Sequence, residues 1–276
     1  MNTLTGNSSS GEEEDARDGA SLLEQFQEEN THPVIGTNVE EAMVALYEAD
    51  TVCFDVDSTV INEEGIDVLA DYLGQGPAVA KLTSAAMDGG MKLQDALKSR
   101  LDLLRPSKQQ ILACLDEHPF VLSPGIETLI ATLHTKGVKV YLVSGGFRIM
   151  IEPVAKILNI HPTRNIIANT ILFDENKNDE YAGFDNNEPT SQDMGKSKAV
   201  QLIMDNSYNI LQRVVMVGDG ATDAQAKPPA TSFIGFGGVV QRQQVKDQAD
   251  WFVTNFEDLT TIVNMRKTPT KPKTKE

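Results

Sequence analysis

The chain has 276 residues, 40% hydrophobic and 23% charged, which excludes fibrous and wholly disordered classes and leaves room for a large core with a smaller companion domain. Lysine and arginine number 24 against 40 aspartates and glutamates, and a formal net charge of -16 argues against nucleic acid or an anionic membrane as the main partner. Residues 1–50 hold twelve of the acidic side chains and one basic one, Arg17, so the remainder is only mildly acidic and an anionic substrate stays open.

Residues 1–20 have almost nothing to bury and read as disordered, within an acidic, largely disordered extension over 1–37. Inside it, SLLEQFQEE at 21–29 can form one short helix using Leu22, Leu23 and Phe26. Asn38 is placed to cap a helix through Val39, Met43, Val44 and Leu46. TVCFDVDST at 51–59 is a short β-prone apolar run that ends at two carboxylates, the pattern of a buried strand. KVYLVSGG at 139–146 and RVVMVGDG at 213–220 repeat the form: apolar run, small polar residues, then a helical stretch. That is how parallel strands of an α/β core read, with loops at their carboxyl ends. FIGFGG at 233–238 and WFVT at 251–254 supply two more strands.

Four helical segments lie between the first two strands: EEGIDVLADYLG, PAVAKLTSAAMDGG, MKLQDALKSRLDLL and SKQQILACLDEH. Their apolar residues recur at three and four, with Gly, Pro or Ser at the joints. An ordinary βα connection is far shorter, so residues 64–120 read as an inserted helical cap, the alternative being extra layers on the sheet. The cap leaves the core just beyond the first carboxylate pair. IIANTILFDENKNDEYAGFD at 166–185 reads as a β-hairpin turning at DENKNDE. The catalytic core then comprises 38–63 and 121–264, and KTPTKPKTKE closes the chain in a disordered basic tail over 265–276.

No run of about eighteen apolar residues offers a membrane span. The first twenty residues lack a secretory signal pattern and are too acidic for a transit peptide; a cytoplasmic location is expected, with an organellar one open if a transit segment has been removed. Cys53 and Cys114 form no CxxC and cannot build a common zinc cluster; Cys53, inside an apolar run, reads as a reduced core thiol.

Asp55 and Asp57 follow what should be a central strand, and buried carboxylates need protons, donors or a metal. A neighbouring parallel strand would bring Asp219 of GDGATD beside them, with Asp223 close behind. Carboxylates and backbone oxygens suit a hard divalent cation, magnesium above all, rather than zinc. Ser144 and the glycines of SGG, ahead of a helix near Phe147 and Arg148, make an anion site; the competing reading of Ser144 as a plain N-cap partly overlaps with it. In GKSK either Lys196 or its competitor Lys198 could neutralise a phosphoryl oxygen; Thr190 stands where a Walker loop needs glycine. Together these pieces specify phosphoryl transfer by a carboxylate nucleophile with a second carboxylic acid as general acid and base. We assign these roles to Asp55 and Asp57 respectively; spacing alone does not divide them.

The blocks DVDST at 55–59, SGG at 144–146, Lys196 and GDGATD at 218–223 resemble those of the haloacid dehalogenase-like phosphatases. Longer stretches, such as DVDSTVINEEGIDVLADYLG and GDGATDAQAKPPA, resemble the branch acting on O-phospho-L-serine, over about residues 38–262. The resemblance implies an α/β, Rossmannoid core with a central parallel sheet and a C1-type helical cap. It implies Mg2+ held by the Asp55 carboxylate, the Asp57 backbone carbonyl and Asp219, with Asp223 supporting. It implies phosphate held by Ser144, Gly145 and Lys196, the substrate ammonium met by Glu64 and its carboxylate by Arg100. Met87 would line the pocket, with Gly220 and Thr222 near the ligand. The implied activity completes serine biosynthesis, with a small-molecule substrate and a homodimer left open. Phosphatases or phosphotransferases for another small phosphomonoester reuse the same groups. A receiver-like signalling domain also places aspartate, magnesium, Ser/Thr and Lys on an α/β sheet, but at about half this length and without a cap.

Overall fold

The computed structural model describes residues 18–87, 93–207 and 212–267, excepting the side chains of Ala86, Met87 and Leu93. Strand β1 (Thr51–Phe54) is buried at every position. It runs parallel to β2 (Lys139–Phe147) on one side and β6 (Val214–Gly218) on the other. With β3 (Ile166–Asn169), β7 (Ser232–Phe236) and β8 (Trp251–Val253), these form one parallel sheet in the order β3-β2-β1-β6-β7-β8. The continuous apolar runs follow from this placement, because strands covered on both faces cannot alternate with polar residues.

Side chains two apart share a face. Val52, Phe54, Val215 and Val217 pack into one core with helices α1 (Gly19–Glu29), α2 (Val39–Tyr47), α7 (Ile126–Thr135), α8 (Arg148–Ile157) and α12 (Glu257–Met265). Cys53, Val214 and Met216 face the opposite core, under α9 (Gly195–Asp205), the short α10 (Ala221–Ala224) and α11 (Gln243–Gln248). Both cysteines are buried and free, and burial pushes the Cys53 thiol above its ordinary pKa, so it behaves as an inert core side chain.

Four helices intervene between β1 and β2: α3 (Gly65–Tyr72), α4 (Gly76–Met87), α5 (Leu93–Leu104) and α6 (Lys108–Glu117). They fall on the four expected segments. Ser107 and Gln110 close a capping box at the start of α6. Leu69, Leu97, Leu101, Ile111 and Cys114 bury together against Phe147 and Met150 at the end of β2 and the start of α8.

Three regions differ from the sequence reading. The stretch read as a single hairpin is divided at Thr170. Its first arm, the fully buried IIAN, is β3 and joins the parallel sheet. The hairpin is made by β4 (Ile171–Asp174) and β5 (Glu180–Phe184), antiparallel as expected. The second difference is the extension. From Asp18, whose carboxylate accepts from the Ser21 N–H at 2.8 Å, the chain is structured. Leu22 and Phe26, four apart on α1, are fully buried, and Phe26 meets Trp251 edge-on at 5.5 Å. Burying one such aromatic side chain stabilises by roughly 1.5–3 kcal/mol, enough to hold a short helix down. Ile35 bridges to Phe252. Asn38 takes the N-cap position of α2 as read, but its amide bonds Glu41 instead of the helix backbone. The third difference is the start of the basic tail, read as disordered from 265: Met265 ends α12 and the Arg266 guanidinium donates to the Ala49 carbonyl. The remaining stretches read as disordered, 1–17 and 268–276, lie outside the described residues. No helix of the described residues is long and apolar enough to cross a membrane.

Candidate active site

Parallel register brings three chain segments to one edge of the sheet. Phe54 pairs with Leu142 on β2 and Val217 on β6, so the next residues along each strand meet beyond the sheet's carboxyl edge. Asp55 is anchored there by its N–H, which donates to the Val217 carbonyl at 2.9 Å. The turn Val56–Val60 that follows forces Ser58 to φ 54°, a conformation held by flanking bonds. Ser58 Oγ donates to Glu64 Oε1 at 2.7 Å, and Thr59 Oγ1 donates to Asp219 Oδ1 at 2.9 Å. DVDST therefore ties the end of β1 to the end of β6 and to the start of α3.

Asp55, Asp219 and Asp223 each offer an oxygen within 4.8 Å of the others. Two cations offset this charge. Lys196 Nζ lies 2.8 Å from Asp55 Oδ1 and 2.5 Å from Asp223 Oδ1. Burial works against the Lys196 charge, but Asp223 and Asp55 outweigh it and hold its pKa above the ordinary lysine value. Burial, then the Asp55 charge, pushes Asp223 up to about 7 while Lys196 pulls it back. Lys198 is exposed and bonds Gln192 at 2.9 Å, so the choice between the two lysines falls on Lys196. The second cation is Arg242, beyond β7, which the sequence reading did not single out. Its guanidinium donates to the Asp219 carbonyl at 3.0 Å, contacts the Asp219 carboxylate and lies 3.8 Å from Glu64 Oε1. Three converging carboxylates are a hard all-oxygen donor set and fit a divalent cation of the magnesium or calcium type. Asp57 contributes no carboxylate oxygen to this cluster.

The Asp57 carboxylate instead faces the second strand end. Oδ1 accepts from the Gly65 N–H at 2.7 Å, and Oδ2 accepts from Ser144 Oγ at 3.4 Å. Burial first, then the charges of Glu64 and Asp55, pushes its pKa up to about 7 against the pull of the Gly65 N–H and Lys196. A carboxyl group that exchanges its proton near neutrality suits general acid–base work. Ser144 is buried, and its Oγ accepts from the Gly146 N–H at 2.8 Å. Phe147 occupies the N-cap position of α8, so Ser144 is free of the capping role that competed for it. A Cβ on Gly146 would come within 2.7 Å of Asp57 Oδ2, so only glycine lets this backbone approach. Gly218 is constrained likewise, since its Cβ would stand 2.2 Å from Asp223 Cγ.

Between these strand ends and α3 and α5 lies a cavity of about 560 Å3. The core supplies Asp55, Asp57, Gly145, Lys196, Asp219, Gly220 and Thr222, and the helices supply Glu64 and Arg100 beside apolar Ile66 and Leu97. Burial lowers the Arg100 pKa, opposed by Asp67, Glu64 and Asp57. Burial raises that of Glu64, opposed chiefly by the Ser58 hydrogen bond. Met87 closes α4, and its side chain lies outside the described residues. The other expected site residues line this cavity, except Ser144 and Asp223, which are fully buried behind it and bonded to Asp57 and Lys196. Asp55, Asp57 and Gly145 reach it from the ends of β1 and β2 and Lys196 from α9, while Glu64 comes from the N-cap of α3 and Arg100 from α5.

Residues 49–227 match the family model for haloacid dehalogenase-like hydrolases. The Bos taurus phosphoserine phosphatase is 51% identical over 211 residues, which cover 76% of this chain and 92% of that protein. Among solved structures, DsGPDH of Dunaliella salina superposes with a TM-score of 0.71 at 35% identity, over 81% of this chain but 37% of that one. A substrate-bound phosphoserine phosphatase complex superposes with a TM-score of 0.65 at 25% identity, over 80% of this chain and 99% of that one.

Proposed function

The chain belongs to the phosphoserine phosphatase family of the haloacid dehalogenase-like hydrolases, and on that premise we propose that it hydrolyses O-phospho-L-serine to L-serine and phosphate through an aspartyl-phosphate on Asp55, completing serine biosynthesis. The observation that carries this reading is that Asp55, Asp57, Lys196, Glu64 and Arg100 line a single cavity.

The phosphoryl group enters against Lys196, the Ser144 hydroxyl and the backbone around Gly145. Asp55 Oδ attacks phosphorus in line; the P–O bond to serine breaks, and Asp57 delivers its proton to the departing alkoxide. Asp57, now ionised, takes a proton from the water that attacks phosphorus, the Asp55 carboxylate leaves, and phosphate is released. Magnesium, held by Asp55, Asp219 and the Asp57 backbone carbonyl with Asp223 in support, would offset charge on the phosphoryl oxygens. Lys196, released from Asp55 by the incoming phosphate, keeps Asp223 as a counter-charge.

Glu64 and Arg100 account for the substrate. Phosphoserine presents an ammonium and a carboxylate; one carboxylate and one bidentate guanidinium read that pair. Gly220 and Thr222 complete the wall. In this reading residues 64–120 form a cap over the core of 38–63 and 121–264, and its closure excludes bulk water while phosphorus is transferred. Phosphate release from a panel of phosphomonoesters tests the assignment. O-phospho-L-serine should be turned over with the highest kcat/KM, and an equal or higher value for a sugar phosphate would sink the substrate reading.

A further inference from the structure

The register of β2 against β3 slips where the anion site is built. Val143 faces Ile167, yet the next pairing is Phe147 with Asn169, so four steps along β2 span two along β3. Ser144, Gly145 and Gly146 bulge out of the ladder, and their backbone groups lose the partners a regular strand would give. Asn169 replaces one of them from its side chain: Nδ2 donates to the Gly145 carbonyl at 2.7 Å. In a planar trans peptide the carbonyl and the next N–H point in opposite directions. Fixing the Gly145 carbonyl toward Asn169 therefore aims the Gly146 N–H the other way, toward Ser144 Oγ.

The other end of the same amide holds the second phosphate-binding element. Asn169 Oδ1 accepts from Thr190 Oγ1 at 3.1 Å, and both residues are buried. Thr190 lies directly against the start of α9: a Cβ on Gly195 would stand 2.8 Å from Thr190 Cα and 2.6 Å from the Pro189 carbonyl oxygen. Lys196 is the next residue. A single buried amide thus spans from the bulge peptide to the loop that seats Lys196, with each of its polar ends used once.

We propose that Asn169 is a positioning residue for phosphate, its amide fixing the orientation of the Gly145–Gly146 peptide and the spacing between that peptide and Lys196. This rests on the reading above in which both elements hold phosphate, and it adds a determinant of phosphate affinity that touches neither substrate nor metal ligand.

The test separates phosphate recognition from serine recognition by product inhibition. In Asn169→Asp the shape and the Thr190 acceptor are kept, but a carboxylate oxygen faces the Gly145 carbonyl in place of a donor. The inhibition constant of inorganic phosphate should rise about tenfold, the loss of one well-made hydrogen bond. That of L-serine should stay within about twofold, because nothing near Glu64 or Arg100 changes. Thr190→Val, which removes the other bond, should raise the phosphate constant about threefold, and Thr190→Ser should restore it. Equal shifts for phosphate and serine, or no shift in phosphate, would overturn the inference. If Asn169→Asp does not fold, an unchanged phosphate constant in Thr190→Val overturns it instead. A wild-type enzyme that leaves O-phospho-L-serine intact speaks against the substrate reading alone; phosphate inhibition would then be measured on p-nitrophenyl phosphate.

Discussion

The two walls of the cavity are built on different physical terms. On the sheet side, the side chains of Lys196, Asp55 and Asp223 are 7%, 11% and 0% exposed and already bonded to one another. Asp55 stands at the end of β1, where parallel register fixes it, Lys196 in the first turn of α9 and Asp223 in the short helix that follows β6. On the side of the inserted helices, Glu64 is 43% exposed, and the nearest guanidinium to it is 3.8 Å away. A buried, mutually paired cluster suits chemistry that is the same for every phosphate ester. A half-exposed carboxylate held by one neutral hydroxyl, with its nearest guanidinium 3.8 Å away, keeps its charge available to read what differs between esters. The sheet side should therefore govern whether phosphorus is transferred, and the helical side which ester is accepted.

The hardest blow to the sheet side is Asp55→Asn. It removes the proposed nucleophile while keeping the shape, so turnover of every phosphate ester should fall by about 10^4-fold or more, with the melting temperature little changed. Rapid-quench trapping should find no phospho-protein. Exhaustive chelation should act as broadly: hydrolysis of all esters is lost together and returns with added magnesium, because the metal proposed at the Asp55, Asp219 and Asp223 cluster would serve phosphate itself. Lys196→Ala should lower kcat/KM by about 10^3-fold on all esters. It also leaves two buried carboxylates without their cation, which destabilises by about 3–5 kcal/mol and should be visible in urea unfolding.

Arg100→Ala addresses the helical side. The kcat/KM for O-phospho-L-serine should drop about 100-fold, the loss of a bidentate charge-assisted contact, while phosphoethanolamine, which lacks the carboxylate, changes by less than about threefold. Equal losses on the two esters would break the division between the walls.

How much of this was legible beforehand follows the same division. DVDST, SGG and GDGATD stand out because an apolar run that stops at small or acidic residues is a local pattern, and parallel pairing then brings the three stops together. The insertion was legible from its 3.6-residue rhythm, and α1 from Leu22 and Phe26. What escaped depends on register. IIAN looks like a hairpin arm because β-prone residues follow it directly, and only the break at Thr170 sends it to the sheet edge. Asn169 was invisible for the same reason, since its role exists only where β2 bulges. Burial, which no spacing encodes, separates Lys196 from Lys198. Arg242 had a readable signal: it follows FIGFGG, a further parallel strand with a glycine-rich end at the same sheet edge, and a long cation there can reach the site.

Arg242 is also where the two walls meet, and it gives the smallest and sharpest prediction. Its guanidinium holds both the carbonyl and the carboxylate of Asp219 while its other nitrogen approaches Glu64. A divalent cation that uses Asp219 must compete with that contact, because one carboxylate cannot satisfy both charges at full strength. Arg242→Gln keeps a donor for the Asp219 carbonyl and removes the competing charge. Calorimetric titration of the substrate-free protein should then show magnesium binding about three- to tenfold tighter, a gain of roughly 1 kcal/mol set by a 30%-exposed guanidinium in a solvated rim. Glu64 loses its neighbouring cation in the same variant, so the KM for O-phospho-L-serine should change by less than in Arg100→Ala. Weaker magnesium binding would mean that Arg242 supports the sheet wall instead of standing between the two.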